Sequence, residues 1–173
     1  HGDHGESFHG FFVYDTTVHV VLIMRPPRGL PEPLIVDTAV SHVDLLPTLL
    51  DAVNVPTPDT THGQSLLPAL FGRALTLDRG VYSESLYPLL HYGWSALRAL
   101  RTDHHKLIDA PRPEVFDLKT DAEEQFNLYA EEPAVSEALE GRLASLREVI
   151  DQEKAPPTQA PDLDPETLAQ LRA

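Results

Sequence analysis

The opening stretch HGDHGESFHG concentrates residue types that bind metal ions or move protons: His1, Asp3, His4, Glu6 and His9, spaced by glycines with little apolar between them. Carboxylate oxygens hold hard divalent cations, and imidazole both ligates metals and titrates near neutral pH. A solvated, glycine-rich terminus would carry the same composition. An expression remnant is a further reading, although these histidines are not consecutive as in a purification tag. The chemical reading is that the chain starts inside an active site whose other half lies upstream.

Elements that would position such a site alternate along the chain. Val18 to Met24 is a β-branched apolar run stopped by Pro26 and Pro27, which predicts a buried strand, with a short second strand at Leu34 to Val36. Ser41 is a plausible N-cap for a helix from His42 to Val53, with Val43, Leu46, Leu50 and Val53 along one face. Pro47 either kinks this helix or lies close to its true start. SLLPALFG reads as a short helical segment closed by Gly72. The runs GVYSESLY, WSALRALRT, HHKLIDA and EVFDL predict a small antiparallel sheet. Val135, Leu139, Leu143, Leu146 and Ile150 then follow helical spacing from Pro133 to Gln152, before a Pro-rich tail. Leu22, Leu46, Leu50, Leu139 and Leu143 are expected in the core.

Composition bounds the function. The 173 residues are 42% apolar and 23% charged, as in a globular domain. A net charge of −14 argues against a general nucleic-acid surface, because phosphate binding needs clustered Lys and Arg. Much of the acidity falls after Glu114, where a solvated helical face accounts for it. There is no cysteine, so this chain offers no thiol nucleophile or disulfide. No apolar run approaches the ~18 residues that a membrane-spanning helix needs.

Five segments, in order, resemble the C-terminal part of a sulfatase of the alkaline-phosphatase-like superfamily: HGFFVYDTTVHVVLIMRPP, VSHVDLLPTLLDAVNVPTP, HGQSLLPALFG, VYSESLYPLLHYGWSALRALRTDHHKLI and EVFDLKTDAEEQFNL. The resemblance implies an α/β fold: the last elements of the catalytic core over residues 1–75, and a small antiparallel sheet with a packing helix over 76–153. A Pro-rich surface tail over 154–173 completes it. It further implies hydrolysis of sulfate esters, on small molecules or glycans, with a formylglycine nucleophile made from a Cys/Ser-x-Pro-x-Arg motif that lies upstream and is absent here. The missing N-terminal part of the same protein is then its partner, and the fragment alone is expected to be inactive. A divalent metal, usually calcium, is implied.

Asp3 and His4 either form one ligand pair of that metal in a shortened loop or belong to a second HGE element, with the ligands preceding His1. The resemblance places His9 as a donor to the sulfate or the leaving-group oxygen, and His91 in a loop that reaches the substrate. It also implies a periplasmic or extracytoplasmic setting. A phosphodiesterase or phosphonate monoester hydrolase of the same superfamily is the alternative enzyme, and a non-catalytic interaction module the alternative class.

Overall fold

The computed structural model describes residues 3–6, 10–25, 34–73, 75 and 80–152. A 3-10 turn (Asp3–Gly5) precedes α1 (Asp15–Val18), and a second 3-10 turn (His42–Asp44) leads into α2 (Leu45–Ala52). Then come α3 (Leu67–Leu70), β1 (Val81–Ser85), α4 (Tyr87–Tyr92), β2 (Leu97–Arg101), β3 (His105–Asp109), β4 (Glu114–Asp117) and α5 (Pro133–Gln152). The chain divides into two compact units, 1–143 and 144–173, and the described part of the second is the end of α5.

The four predicted strands form one antiparallel meander, β1-β2-β3-β4. Successive side chains point to opposite faces, so the register decides which residues meet. Leu100, Leu107 and Val115 stand opposite one another on one face and are fully buried. Ala99, Ile108 and Phe116 share the other face, where Val13 joins them in a core flanked by Tyr14, Val18 and Leu97. The N-terminal segment is thus held against the sheet by an apolar plug. In α5, Leu139 and Leu143 are buried as expected, and Ser136 Oγ donates to the Tyr129 carbonyl at 3.0 Å.

The start of α2 explains why VDLLPTLLD and HGQSLLP belong together. Ser41 and Asp44 form a reciprocal capping box, with the Ser41 amide donating to Asp44 Oδ2 at 2.8 Å. Fully buried Asp44 also accepts from the Gln64 amide at 2.8 Å, and Thr48 Oγ1 accepts from the Leu66 amide at 2.8 Å. A Cβ at Gly63 would lie 1.8 Å from the Val43 carbonyl oxygen, so only glycine lets the two segments approach this closely. Pro47 falls in the first turn of α2, where its missing N–H costs no helical hydrogen bond.

Three expectations fail. Residues 18–24 form no strand: Val18 ends α1, and Leu22 is 43% exposed rather than buried. Leu34 to Val36 forms none either, and all three side chains are exposed. A strand needs a neighbour for its ladder, and neither run has one among the described residues. The α2 helix is present, but Leu46 is 53% exposed and Leu50 only half-buried. The buried side of α2 is the one carrying Pro47 and Thr48, and its apolar stripe points away. The expected tail at 154–173 lies outside the described residues.

Candidate functional site

Strand register places Arg101 of β2 opposite Lys106 of β3, on the face that holds Val13. Two cations side by side on one face repel. Two acids from distant parts of the chain resolve this. Asp15, the first residue of α1, meets Lys106 Nζ at 2.7 Å through Oδ1 and Arg101 Nε at 3.1 Å through Oδ2. Glu124 meets Lys106 Nζ at 2.8 Å through Oε1, as an ion pair outside hydrogen-bonding direction, and its Oε2 accepts from the Asp15 amide at 2.6 Å. The Lys106 side chain is 1% exposed and that of Glu124 is fully buried. Burial by itself would raise the Asp15 carboxyl, but the Lys106 and Arg101 cations outweigh it and hold the group below its ordinary value.

Local geometry turns Glu124 inward. Its φ is +56°, a left-handed conformation that a non-glycine residue holds only when its surroundings fix it. Asp121 supplies that fixing by accepting from the Gln125 amide at 3.0 Å and the Phe126 amide at 2.8 Å. Asn127 then locks the segment to β4: Oδ1 accepts from the Val115 amide at 3.0 Å, and Nδ2 donates to the Pro113 carbonyl at 3.1 Å. Asp121, Glu124 and Asn127 of DAEEQFN therefore each have a structural task.

Beside the charge cluster, further bonds hold the described residues 4–6 and 10–17 in place. Glu6 accepts from the Phe11 amide at 2.8 Å, the Phe12 amide at 3.3 Å and Thr17 Oγ1 at 3.2 Å, tying residue 6 to the segment beyond residue 9. His4, at φ +51°, stacks on Tyr14 with ring centroids 3.7 Å apart, and its Nε2 donates to the Glu123 carbonyl at 3.1 Å. Burial, together with the 2.7 Å hydrogen bond to Glu114, pushes the Tyr14 phenol well above its ordinary value. Ser85 Oγ donates to the Gly10 carbonyl at 2.7 Å, and Phe11 enters a ring cluster with Phe12, Tyr87, Tyr92 and Trp94 at 5.0–6.2 Å.

Of the residues singled out from the sequence, His4 is placed on Tyr14, and His91 stacks on Tyr87 at 4.2 Å within the helix that flanks Phe11. The Asp3 backbone lies in the first 3-10 turn, its side chain is outside the described set, and His9 is too. Among the described residues, no three His, Asp or Glu side chains converge as a metal-holding group. Sequence reasoning missed Asp15, Lys106 and Glu124. Glu124 had been grouped with the solvated acids, yet it is 2% exposed and paired. Its place in DAEEQFNL was the available signal.

A family profile described as N-sulphoglucosamine sulphohydrolase, C-terminal, matches residues 2–149. Human arylsulfatase K is 32% identical over 162 residues, covering 83% of this chain and 30% of that protein. The uncharacterized sulfatase YidJ of Escherichia coli strain K12 is 33% identical over 139 residues, covering 73% of this chain and 26% of that protein. The solved structure of BT4656 with D-glucosamine-2-N,6-O-disulfate aligns with a TM-score of 0.54 at 26% identity, over 64% of this chain and 24% of that one. Ps i-CgsB aligns at the same TM-score of 0.54 with 17% identity, a likeness of fold, over 63% of this chain and 24% of that one.

Proposed function

The chain belongs to the sulfatase family, of which it carries the C-terminal portion with an alkaline-phosphatase-like fold, and on that premise we propose that the whole protein hydrolyses sulfate esters of sugars. The chain spans 30% or less of the length of the relatives reported above, so the reaction belongs to the longer polypeptide. The observation that carries the reading is the family match over residues 2–149. The sugar substrate class is supported by the glucosamine disulfate bound to BT4656.

In this reading the nucleophile, a formylglycine made from a Cys or Ser, lies outside residues 1–173, which contain no cysteine. His9 donates a hydrogen bond to the sulfate or the departing oxygen, and a donor aimed at charge that develops in the transition state accelerates the step. His91 is assigned the substrate-contacting role that the resemblance implies; its ring packs on Tyr87, which also meets Phe11. A divalent cation, calcium by family implication, polarises the ester when bound. The described residues do not assemble its site by themselves. With Nε2 bonded to the Glu123 carbonyl, the His4 tautomer is fixed and Nδ1 suits either role, metal ligand or neighbour of the ligands. Metal analysis of an Asp3→Ala full-length protein tests this point, and retention of the metal is expected.

The reaction is tested by assaying the full-length gene product on sulfated glucosamine, aryl sulfates, phosphate diesters and phosphonate monoesters. Sulfate release as the main activity is expected, with none from residues 1–173 alone. Preference for phosphorus esters would assign the alternative hydrolase, and no turnover of any ester would assign the interaction module.

A further inference from the structure

Three large rings stand exposed around the turn that ends α4. Tyr87 and Tyr92 are 45% and 55% exposed, and Trp94 just beyond them is 59% exposed. Large rings left in water forfeit apolar stabilisation, and several together mark a contact surface. Their backbone is fixed. Gly93 closes α4 at φ +67°, its amide donates to the Leu89 carbonyl at 3.0 Å, and the Trp94 amide donates to the Pro88 carbonyl at 3.1 Å. Half-buried Phe11 meets Trp94 edge-on at 5.8 Å and Tyr92 at 6.2 Å, while its own amide is bonded to Glu6. Tyr92 and Trp94 lie 5.1 Å apart with their planes inclined by 31°. At the end of β1, Ser85 Oγ holds the Gly10 carbonyl at 2.7 Å, and Gly10 follows His9 in the chain.

The chemistry of the rings selects the occupant. Aliphatic side chains would suffice for a face covered by protein core, yet here the Tyr87 and Tyr92 hydroxyls and the Trp94 indole N–H have no hydrogen-bond partner among the described residues. A ligand that covers such rings must supply an apolar face together with hydrogen-bonding groups at its rim. A pyranose ring does both. Its axial C–H groups make a flat apolar face that the electron-rich face of an aromatic ring attracts, and its hydroxyls radiate around the edge. We propose that Tyr92 and Trp94 form a platform on which the sugar ring of the sulfate ester stacks, with the Tyr87 hydroxyl at its edge, and that this platform selects sugars over other sulfate esters. The proposal deepens the sulfated-sugar reading above and rests on it. Rings with few rotatable bonds on a fixed backbone lose little freedom when the ligand arrives.

Binding of D-glucosamine-2-N,6-O-disulfate to the full-length gene product, followed by calorimetry beside kcat and KM on the same compound, tests it. Trp94→Ala and Tyr92→Ala are each expected to weaken binding about 3- to 10-fold, the worth of one aromatic contact, with the loss appearing in KM more than in kcat. Trp94→Phe should restore most of the affinity. Trp94→Leu, apolar but without a π face, should not. Melting temperatures close to wild type are expected throughout, because the side chains are exposed. Unchanged affinity in both alanine variants overturns the platform, and so does full affinity in Trp94→Leu. A large fall in melting temperature with affinity intact overturns it as well, by assigning the face to polypeptide that packs there. Sugar bound through Trp94 without sulfate release leaves the platform standing and removes the proposed reaction. Sulfate release from non-sugar esters, with no affinity for the sugar, removes the platform and keeps the sulfatase chemistry.

Discussion

Lys106 Nζ lies 2.7 Å from Asp15 Oδ1, across 91 positions of the chain. The ammonium is buried, and Glu124 holds it from the other side at 2.8 Å. This bond joins the sheet to the segment that carries the candidate site.

Removing the ammonium should be costly. Lys106→Met leaves the buried Glu124 carboxylate facing that of half-buried Asp15, and breaking a buried ion pair from one side typically costs about 3–5 kcal/mol. Adding Glu124→Gln to that background should cost much less than Glu124→Gln costs alone. Urea unfolding of the two single variants and the double variant checks this, and strictly additive losses would show that the pair is not coupled.

Acid should loosen the same cluster. Because the folded-state pKa of Asp15 is depressed, the unfolded chain binds its proton first as pH falls. The stability Asp15 contributes is therefore fully present above its ordinary value of 3.8 and is lost as pH drops from there through the lowered folded value. A series of melting curves across that window should show the decline, and Asp15→Asn should flatten it.

Gly63→Ala should disrupt the junction between α2 and the loop before α3. The added methyl meets the Val43 carbonyl oxygen at 1.8 Å, and this neighbour is backbone that cannot rotate away. A loss of about 3 kcal/mol, the upper end of ordinary overpacking, is expected in chemical denaturation. A neutral result would mean that the segments can separate without penalty.

His9→Ala in the full-length protein should lower kcat by about 10²–10³-fold while leaving the fold and any bound metal intact. The loss should be larger on esters with poor leaving groups, which need more help with charge on oxygen. A drop in melting temperature with unchanged kcat would instead mark His9 as a packing residue.

The sheet was legible because each strand is a short run bounded by turn residues, and α5 because Leu139 and Leu143 keep helical spacing in a sequence rich in helix formers. Residues 18–24 misled for a physical reason: a β-branched run specifies a strand only together with a partner, and the sequence of one strand does not contain its neighbour. The α2 stripe misled likewise, since the helix buries hydrogen-bonded Asp44 and Thr48 in place of its leucines. For the candidate site, residue types drew attention to the N-terminal segment. What holds it there was hidden, because Lys106 and Glu124 look like surface charges until the register and a left-handed turn bring them inward.

The meander also orders events in time. Strands β2, β3 and β4 are joined through residues 102–104 and 110–113, so closing their hairpins costs little chain entropy. Asp15 must instead wait for a loop of 91 positions to close onto Lys106. Closure of Asp15 onto Lys106 is thus the costlier step in chain entropy. During synthesis the Asp15 carboxylate is made 91 positions before the ammonium that will hold it.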